Sequence, residues 1–221
     1  MKNRILTHLK RFIFEFVIVT LGILSAFSIN KWDENRKLKA EEITSYKALK
    51  SDLESELFVF SFYKKPLINA RQYLKPVLEN NHENIDSLLT YLHTGFDLQE
   101  RNATYINLKY SGKLGLISND KIKSRVTMYY ETYYQGLESM SNWNYDFNLN
   151  FLQPYMIANF KFNPDESDIL ENLKQDEFLN LIRSRYQLVE YNISTIEKSE
   201  NLINKIIEEI DAELIEQEKD V

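Results

Sequence analysis

The stretch Phe12 to Ile29, FIFEFVIVTLGILSAFSI, constrains this chain more than any other. Eighteen helical residues cover roughly 27 Å at 1.5 Å each, against a hydrocarbon core of about 30 Å. A run this long and apolar predicts a helix that crosses a membrane. Leu9 upstream and Trp32 downstream extend it into the interface. Trp32 is the residue type expected at headgroup level. Lys10 and Arg11 are placed to snorkel at the other end. The competing assignment is a cleaved signal peptide, with Ala26-Phe27-Ser28 supplying small residues for cleavage after Ser28. Against it, Glu15 interrupts the apolar run, and the sequence after Trp32 continues as helix with no polar, turn-rich segment.

Lys and Arg are equally frequent on the two flanks: Lys2, Arg4, Lys10 and Arg11 before the span, and Lys31, Arg36, Lys37 and Lys39 after it. Asp33 and Glu34 dilute the second flank. A short basic leader is the usual signal-anchor arrangement, so the expectation is an N-terminus inside and the large domain outside. This places the chain in the cell (inner) membrane as a single-pass protein with an extracytoplasmic, periplasmic C-terminal domain. Zero cysteines fit either compartment.

Within the span, Glu15, Gly22, Ala26 and Ile29 share one stripe. Gly22-x-x-x-Ala26 is a small-xxx-small pair that allows close helix approach. Two readings stay open. Glu15, Gly22 and Ala26 form a membrane-helix interaction seam with a second copy or another membrane protein, or Glu15 pairs with Arg11 and reaches for headgroups.

Five Lys/Arg against one Asp/Glu up to Trp32 give that stretch +4, so the −6 of the whole chain leaves −10 on the 189 residues that follow. That sign disfavours nucleic acid as a partner. Fourteen tyrosines and thirteen phenylalanines supply a sizeable core. No glycine or proline lies between Gly22 and Pro66, and strand patterns are missing, so the chain reads as all-α. The predicted architecture is a single N-terminal transmembrane helix continuing into an elongated helical bundle, with a long C-terminal helix packed against it. Its parts are a leader over 1–11, the span over 12–30 and one extramembrane domain over 31–221. A stalk (31–65 and 166–221) carries a head (67–163).

In detail, Ile43, Tyr46, Leu53, Leu57 and Phe60 make an apolar stripe, with Glu41, Lys47, Asp52 and Glu56 assigned to the polar side. Pro66 is expected to end that helix or begin the next, which covers 67–80 with a disturbance at Pro76. Asp86 is the expected cap of a short helix that ends at Gly95. A helix over 103–111 stops at Gly112, and Asn119 or Asp120 caps a helix over 121–140. A broken helix precedes Pro154, and Asn163-Pro164-Asp165 is a turn. Val189, Ile193, Ile196, Ile203, Ile207, Ile210 and Leu214 recur three and four apart, with Glu200 the only miss. That seam suits a second copy, or the first helix of the same chain, which is preferred here.

The chemistry-bearing residues are sparse. His8, His82 and His93 with no cysteine do not assemble a recognisable zinc site. Glu79-x-x-His82 is half of a di-iron motif whose second copy is missing. The nucleophile elbow, P-loop and dinucleotide fingerprints are all missing. The expectation is therefore no enzyme, no cofactor and no metal. Tyr129, Tyr130, Tyr133 and Tyr134 are the remaining candidate, either an aromatic pocket for a small ligand or, preferred here, bundle core at i, i+3, i+4 spacing.

Two segments carry a resemblance. The first is FEFVIVTLGILSAFSINKWDENRK, with Glu15, Gly22, Asn30, Trp32 and Glu34. The second is YINLKYSGKLGLISNDKIKSRVTMYYETY, with Leu108, Ser111, Gly112, Leu114, Ile117, Ile122, Val126, Tyr129 and Tyr130. Together they resemble a family of bacterial single-pass membrane proteins of unknown function, whose span ends in Asn-x-Trp-x-Glu. Phe14 stands where many members have glycine. The resemblance implies an anchored helical domain and brings no reaction, ligand or active site. The function expected is a membrane-anchored accessory or scaffold protein whose partners are the lipid bilayer and a second copy or a membrane protein. The alternative is a ligand-sensing module that signals through a partner chain.

Overall fold

A computed structural model describes the backbone of residues 2–219 and the side chains of residues 14–217. The leader side chains, including His8, Lys10 and Arg11, lie outside the described residues. The fold is all-α, with no strand among the described residues. Helix α1 runs over Lys2–Leu78 and α8 over Asp176–Lys219. Between them lie α2 (Leu88–Leu92), α3 (Ala103–Tyr110), α4 (Asp120–Met128), α5 (Tyr134–Phe147), α6 (Gln153–Asn159) and α7 (Glu166–Asn172). The chain divides into two compact units, Met1–Ser45 and Tyr46–Val221.

In the first unit the backbone is a single stretch of α1. Its large apolar side chains face outward: Phe14, Phe16, Leu21, Ile23, Phe27 and Ile29 are each more than half exposed. From Phe14 onward α1 is long and apolar enough to cross a membrane, and none of its most apolar window is buried.

In the second unit α1 and α8 pack antiparallel. Ion pairs set the register, with Lys50 on Asp211 at 2.5 Å, Lys64 on Glu200 at 2.6 Å and Arg71 beside Glu190 at 3.8 Å. The predicted seam is used inside the chain. Val189, Ile196, Ile203 and Ile210 are fully buried in one core cluster with Tyr46, Leu49, Leu53 and Phe60 of α1. Glu200, the one break in the seam, is the partner of Lys64. A second cluster gathers Leu74, Val77, Leu88, Leu92, Phe147, Phe178 and Ile182.

Several expectations need correction. Pro66 does not end a helix, because α1 continues through both Pro66 and Pro76. A proline removes the bond to the carbonyl four residues back. Those carbonyls belong to Phe62 and Gln72, both on exposed residues, so the lost bonds face water. The stop comes at Asn80, which is left-handed at φ 66. The short helix has no side-chain cap: Asp86 lies in a 3-10 turn over Ile85–Ser87, and α2 ends at Leu92 with His93, not Gly95, in the cap position. Asn119 does cap α4, its side chain accepting from the amides of Lys121 and Ile122.

The segment from α4 to α6 is not broken before Pro154. It runs on through two π-turns, Tyr129–Tyr133 and Asn148–Leu152, each of which inserts a residue and rotates the helix face. Pro154 sits in the first turn of α6, where its missing N–H costs little. After the turn at 163–165, Asp165 and Asp168 form a reciprocal capping box on α7.

Candidate functional site: two buried charges behind π-turns

The tyrosines singled out by sequence sit on the first π-turn, with Tyr134 just beyond it at the start of α5. Tyr129, Tyr130 and Tyr134 are at most 6% exposed, and Tyr133 is half-buried. Tyr130 stacks on Tyr105 of α3, centroids 4.6 Å apart and planes 11° from parallel, with Tyr129 edge-on to Tyr130 at 4.9 Å. These contacts hold α3 against the α4–α5 junction. Tyr105, Tyr130 and Tyr134 also line a cleft of about 470 Å³ whose mouth carries Asp97, Glu100, Glu131 and Glu138. Glu131 is occupied: it accepts from the Tyr105 hydroxyl and from Lys109, both at 2.6 Å.

Behind the rings lies Glu56 of α1. It was assigned to the polar side of the helix, but it is 2% exposed. Neither carboxylate oxygen has a hydrogen-bond partner, and the Tyr129 and Tyr130 hydroxyls are likewise unpartnered. Burial pushes the Glu56 carboxyl up to about 7, opposed only by the Arg101 guanidinium. The phenols shift in the same sense. Burial holds Tyr130 and Tyr129 far above the ordinary tyrosine range, with the Glu56 carboxylate adding to it, and Tyr134 rises to about 12. The Tyr134 hydroxyl accepts from the Arg101 amide at 3.0 Å. The Arg101 side chain donates instead to Gln99, at 3.2 Å to its side-chain oxygen.

The second π-turn carries the opposite charge. Arg185 of α8 has no exposed surface. Its Nη1 donates to Asn144 Oδ1 at 2.9 Å and its Nη2 to Asn148 Oδ1 at 2.5 Å. The guanidinium carbon lies 4.3 Å from the Phe147 ring centroid, a cation–π arrangement. Asn192 extends the network, donating to Asn144 Oδ1 at 3.2 Å. No carboxylate pairs with Arg185 among the described residues, and burial alone lowers it to about 10. The guanidinium therefore stays charged at neutral pH. Gly95 packs closely beside it. A Cβ there would stand 2.8 Å from Asn144 Oδ1 and 3.4 Å from Arg185 Nη1.

Glu56 and Arg185 were missed from sequence, though a signal existed. Leu49, Leu53, Glu56 and Phe60 keep four-three-four spacing, as do Phe178, Ile182, Arg185 and Val189. Each charge occupies a core position in an otherwise apolar stripe.

The span residues lie apart, in the first unit. Glu15, Gly22 and Ala26 are all exposed, and a Cβ on Gly22 would meet nothing within 4 Å. Trp32 is 63% exposed, with Arg36 5.6 Å from its ring. Ser28 bonds back to the Leu24 carbonyl of its own helix. Glu79 and His82 are both exposed, and no metal-holding group of His, Cys, Asp or Glu occurs among the described residues. A further groove, about 800 Å³, runs between α6 and α8 over Phe147, Phe151, Pro154, Tyr155 and Leu181. Ile157 and Phe162 nearby are 84% and 99% exposed.

A model of a protein family of unknown function, DUF6090, matches residues 15–187, and the chain belongs to that family. No curated protein and no solved structure matches it.

Proposed function

We propose that this member of the DUF6090 family is a membrane-anchored helical accessory protein, held by residues 12–30 and presenting its second unit to a partner at the membrane. The observation that carries this reading is the outward exposure of Phe14, Phe16, Leu21, Ile23, Phe27 and Ile29 along α1. So much contiguous apolar surface is untenable in water and is satisfied by lipid. In this reading Trp32 sits at the headgroups, and the domain lies on the extracytoplasmic face of the inner membrane. The exposed Phe151 on the α6–α8 groove, and the exposed Ile157 and Phe162 on a separate recess with Leu89 and Met156, support a protein partner. The test is alkaline carbonate extraction of native membranes, followed by mild detergent and crosslinking. The protein should stay in the pellet and then co-purify with a stoichiometric partner. Release by carbonate, or purification as a lone monomer, would overturn the anchor or the partner respectively.

The tyrosine-lined cleft favours a second reading, a ligand-sensing module that acts through a partner chain. A ligand at 100 times its dissociation constant would raise stability by about 2.7 kcal/mol. A thermal-shift screen of the full chain in detergent would find such a compound, and a flat screen would count against this reading.

A further inference from the structure

We propose that Glu56 is a proton-operated latch: its neutral carboxyl closes the core under Tyr129 and Tyr130, and its ionisation releases the Arg101-bearing loop between α2 and α3 to pair with it. The geometry supplies both states. In the closed state both Glu56 oxygens are buried and receive no donor, an arrangement an uncharged carboxyl tolerates far better than a carboxylate. The cation that acts on it, Arg101, is half-buried and donates its side chain to Gln99 rather than to Glu56. The 93–102 segment that carries it has no regular secondary structure. Its first half is fixed, since Phe96 is buried against the rings of Phe60 and Tyr63. The half that carries Arg101 is held by the Leu98 amide on the Ser141 hydroxyl and the Arg101 amide on the Tyr134 hydroxyl, both at 3.0 Å, and by the Ser141 hydroxyl on Asp97 at 3.2 Å. Exchange of Gln99 for Glu56 as the partner of Arg101 is the switching event.

The surroundings are consistent from every side. On α1 itself Asp52, one turn back, is occupied by the Thr104 amide at 3.1 Å. From the loop comes Arg101. From the π-turn and α5 come the phenols of Tyr129, Tyr130 and Tyr134, held neutral by burial. On α8 the register set by the ion pairs brings Ile203 and Ile206 opposite this turn, while Lys205 and Glu208 are exposed. Among the described residues, Arg101 is the cation whose charge acts on Glu56.

The sign follows from linkage. The carboxyl is raised from 4.5 to about 7 in the closed state, so that state holds its proton where an open, solvated Glu56 has lost it. The closed state is favoured at low pH. Its advantage falls as pH rises from about 4.5 to 7 and is flat above, a change on the order of a hundredfold in the closed-to-open ratio.

Hydrogen exchange of the full-length chain in detergent at pH 6 and pH 8, corrected for intrinsic exchange, tests this. Expected is a lower protection factor at pH 8 across residues 94–105 and 126–135, with no change in residues 200–212. In Glu56→Gln, a neutral mimic, protection should be the same at both pH values. In Arg101→Gln the open state loses its cation, and the midpoint should move to higher pH. The infrared band of a protonated carboxyl, present in wild type at pH 6 and lost by pH 8, gives a readout that needs no variant to fold. Equal protection at both pH values in wild type would overturn the proposal, as would pH dependence retained in Glu56→Gln.

Discussion

Glu56 and Arg185 are both buried, each against a π-turn in the α4–α6 segment, yet one has no hydrogen bond while the other donates both Nη groups to amide oxygens and leaves only its Nε unpartnered. The difference follows from what each group can do when water is removed. A carboxylic acid escapes the cost of a buried charge by keeping its proton, so a site lacking donors is survivable. A guanidinium cannot shed its proton near neutral pH, so its site must supply acceptors. Asn144 and Asn148 do so, and the face of Phe147 adds to them. One buried charge is conditional on pH and the other is fixed. The first suits a part that changes state, and the second a part that holds a fixed arrangement.

The most damaging way to break the contrast is Arg185→Ala. It strands Asn144 and Asn148, removes the packing on Phe147 and leaves a cavity. Destabilisation of about 3–5 kcal/mol is expected, the range for breaking a buried charged network. Urea unfolding followed by near-ultraviolet circular dichroism would measure it. Because the guanidinium is lowered only to about 10, the loss should be the same at pH 6 and pH 8. Glu56→Gln should behave in the opposite manner. At pH 8 the closed form of wild type holds a carboxylate whose folded pKa lies above its unfolded value. Its stability has therefore been falling from about pH 4.5 to pH 7. The amide removes that term, so the variant should exceed wild type by about 2–3 kcal/mol at pH 8 and match it near pH 5. A variant less stable than wild type at pH 8 would remove the conditional half of the comparison.

A gentler probe touches the Arg185 site alone. Gly95→Ala places a methyl 2.8 Å from Asn144 Oδ1, closer than real contacts allow. The obstructing atoms are side-chain ends that can give, but they are held by the guanidinium and by Asn192. A loss of about 1–2 kcal/mol is expected, independent of pH. No loss would mean that the asparagine network is looser than its geometry indicates.

How much of this was legible beforehand differs between elements. The seam from Val189 to Leu214 was readable because apolar spacing reports packing directly, and the Asn119 cap because its side chain bonds its own backbone. Both depend on local chemistry. Pro66 and Pro76 misled because the cost of a proline depends on whether the orphaned carbonyl meets water, which sequence does not state. The π-turns were invisible, since the extra residue per turn is selected by what it faces across the bundle. For the same reason Tyr129 to Tyr134 could be named as a candidate cluster while Glu56, some seventy residues earlier, could not be joined to it. The anomaly of a charge at core spacing was present at Glu56 and at Arg185, but only the packed structure shows that one lacks partners and the other has them.

The smallest expected effect bears on whether Tyr134 belongs to the conditional site or merely borders it. Its hydroxyl anchors the Arg101 amide at 3.0 Å, and its ring forms part of the wall over Glu56. Tyr134→Phe keeps the ring and removes the acceptor, so a loss of about 1 kcal/mol is expected at pH 6, where Glu56 is mostly protonated. At pH 8 the same substitution also frees the loop that brings Arg101 to the carboxylate. Protection over 94–105, already lowered there by ionisation of Glu56, should fall further still. The Glu56→Gln background separates the two effects. If the hydroxyl acts only as an anchor, Tyr134→Phe costs the same in wild type and in Glu56→Gln at every pH. If the two residues work as one unit, the double-mutant cycle gives additivity at pH 6 and a coupling of about 0.5 kcal/mol or more at pH 8. Additivity at both would confine the conditional charge to Glu56 and Arg101 alone.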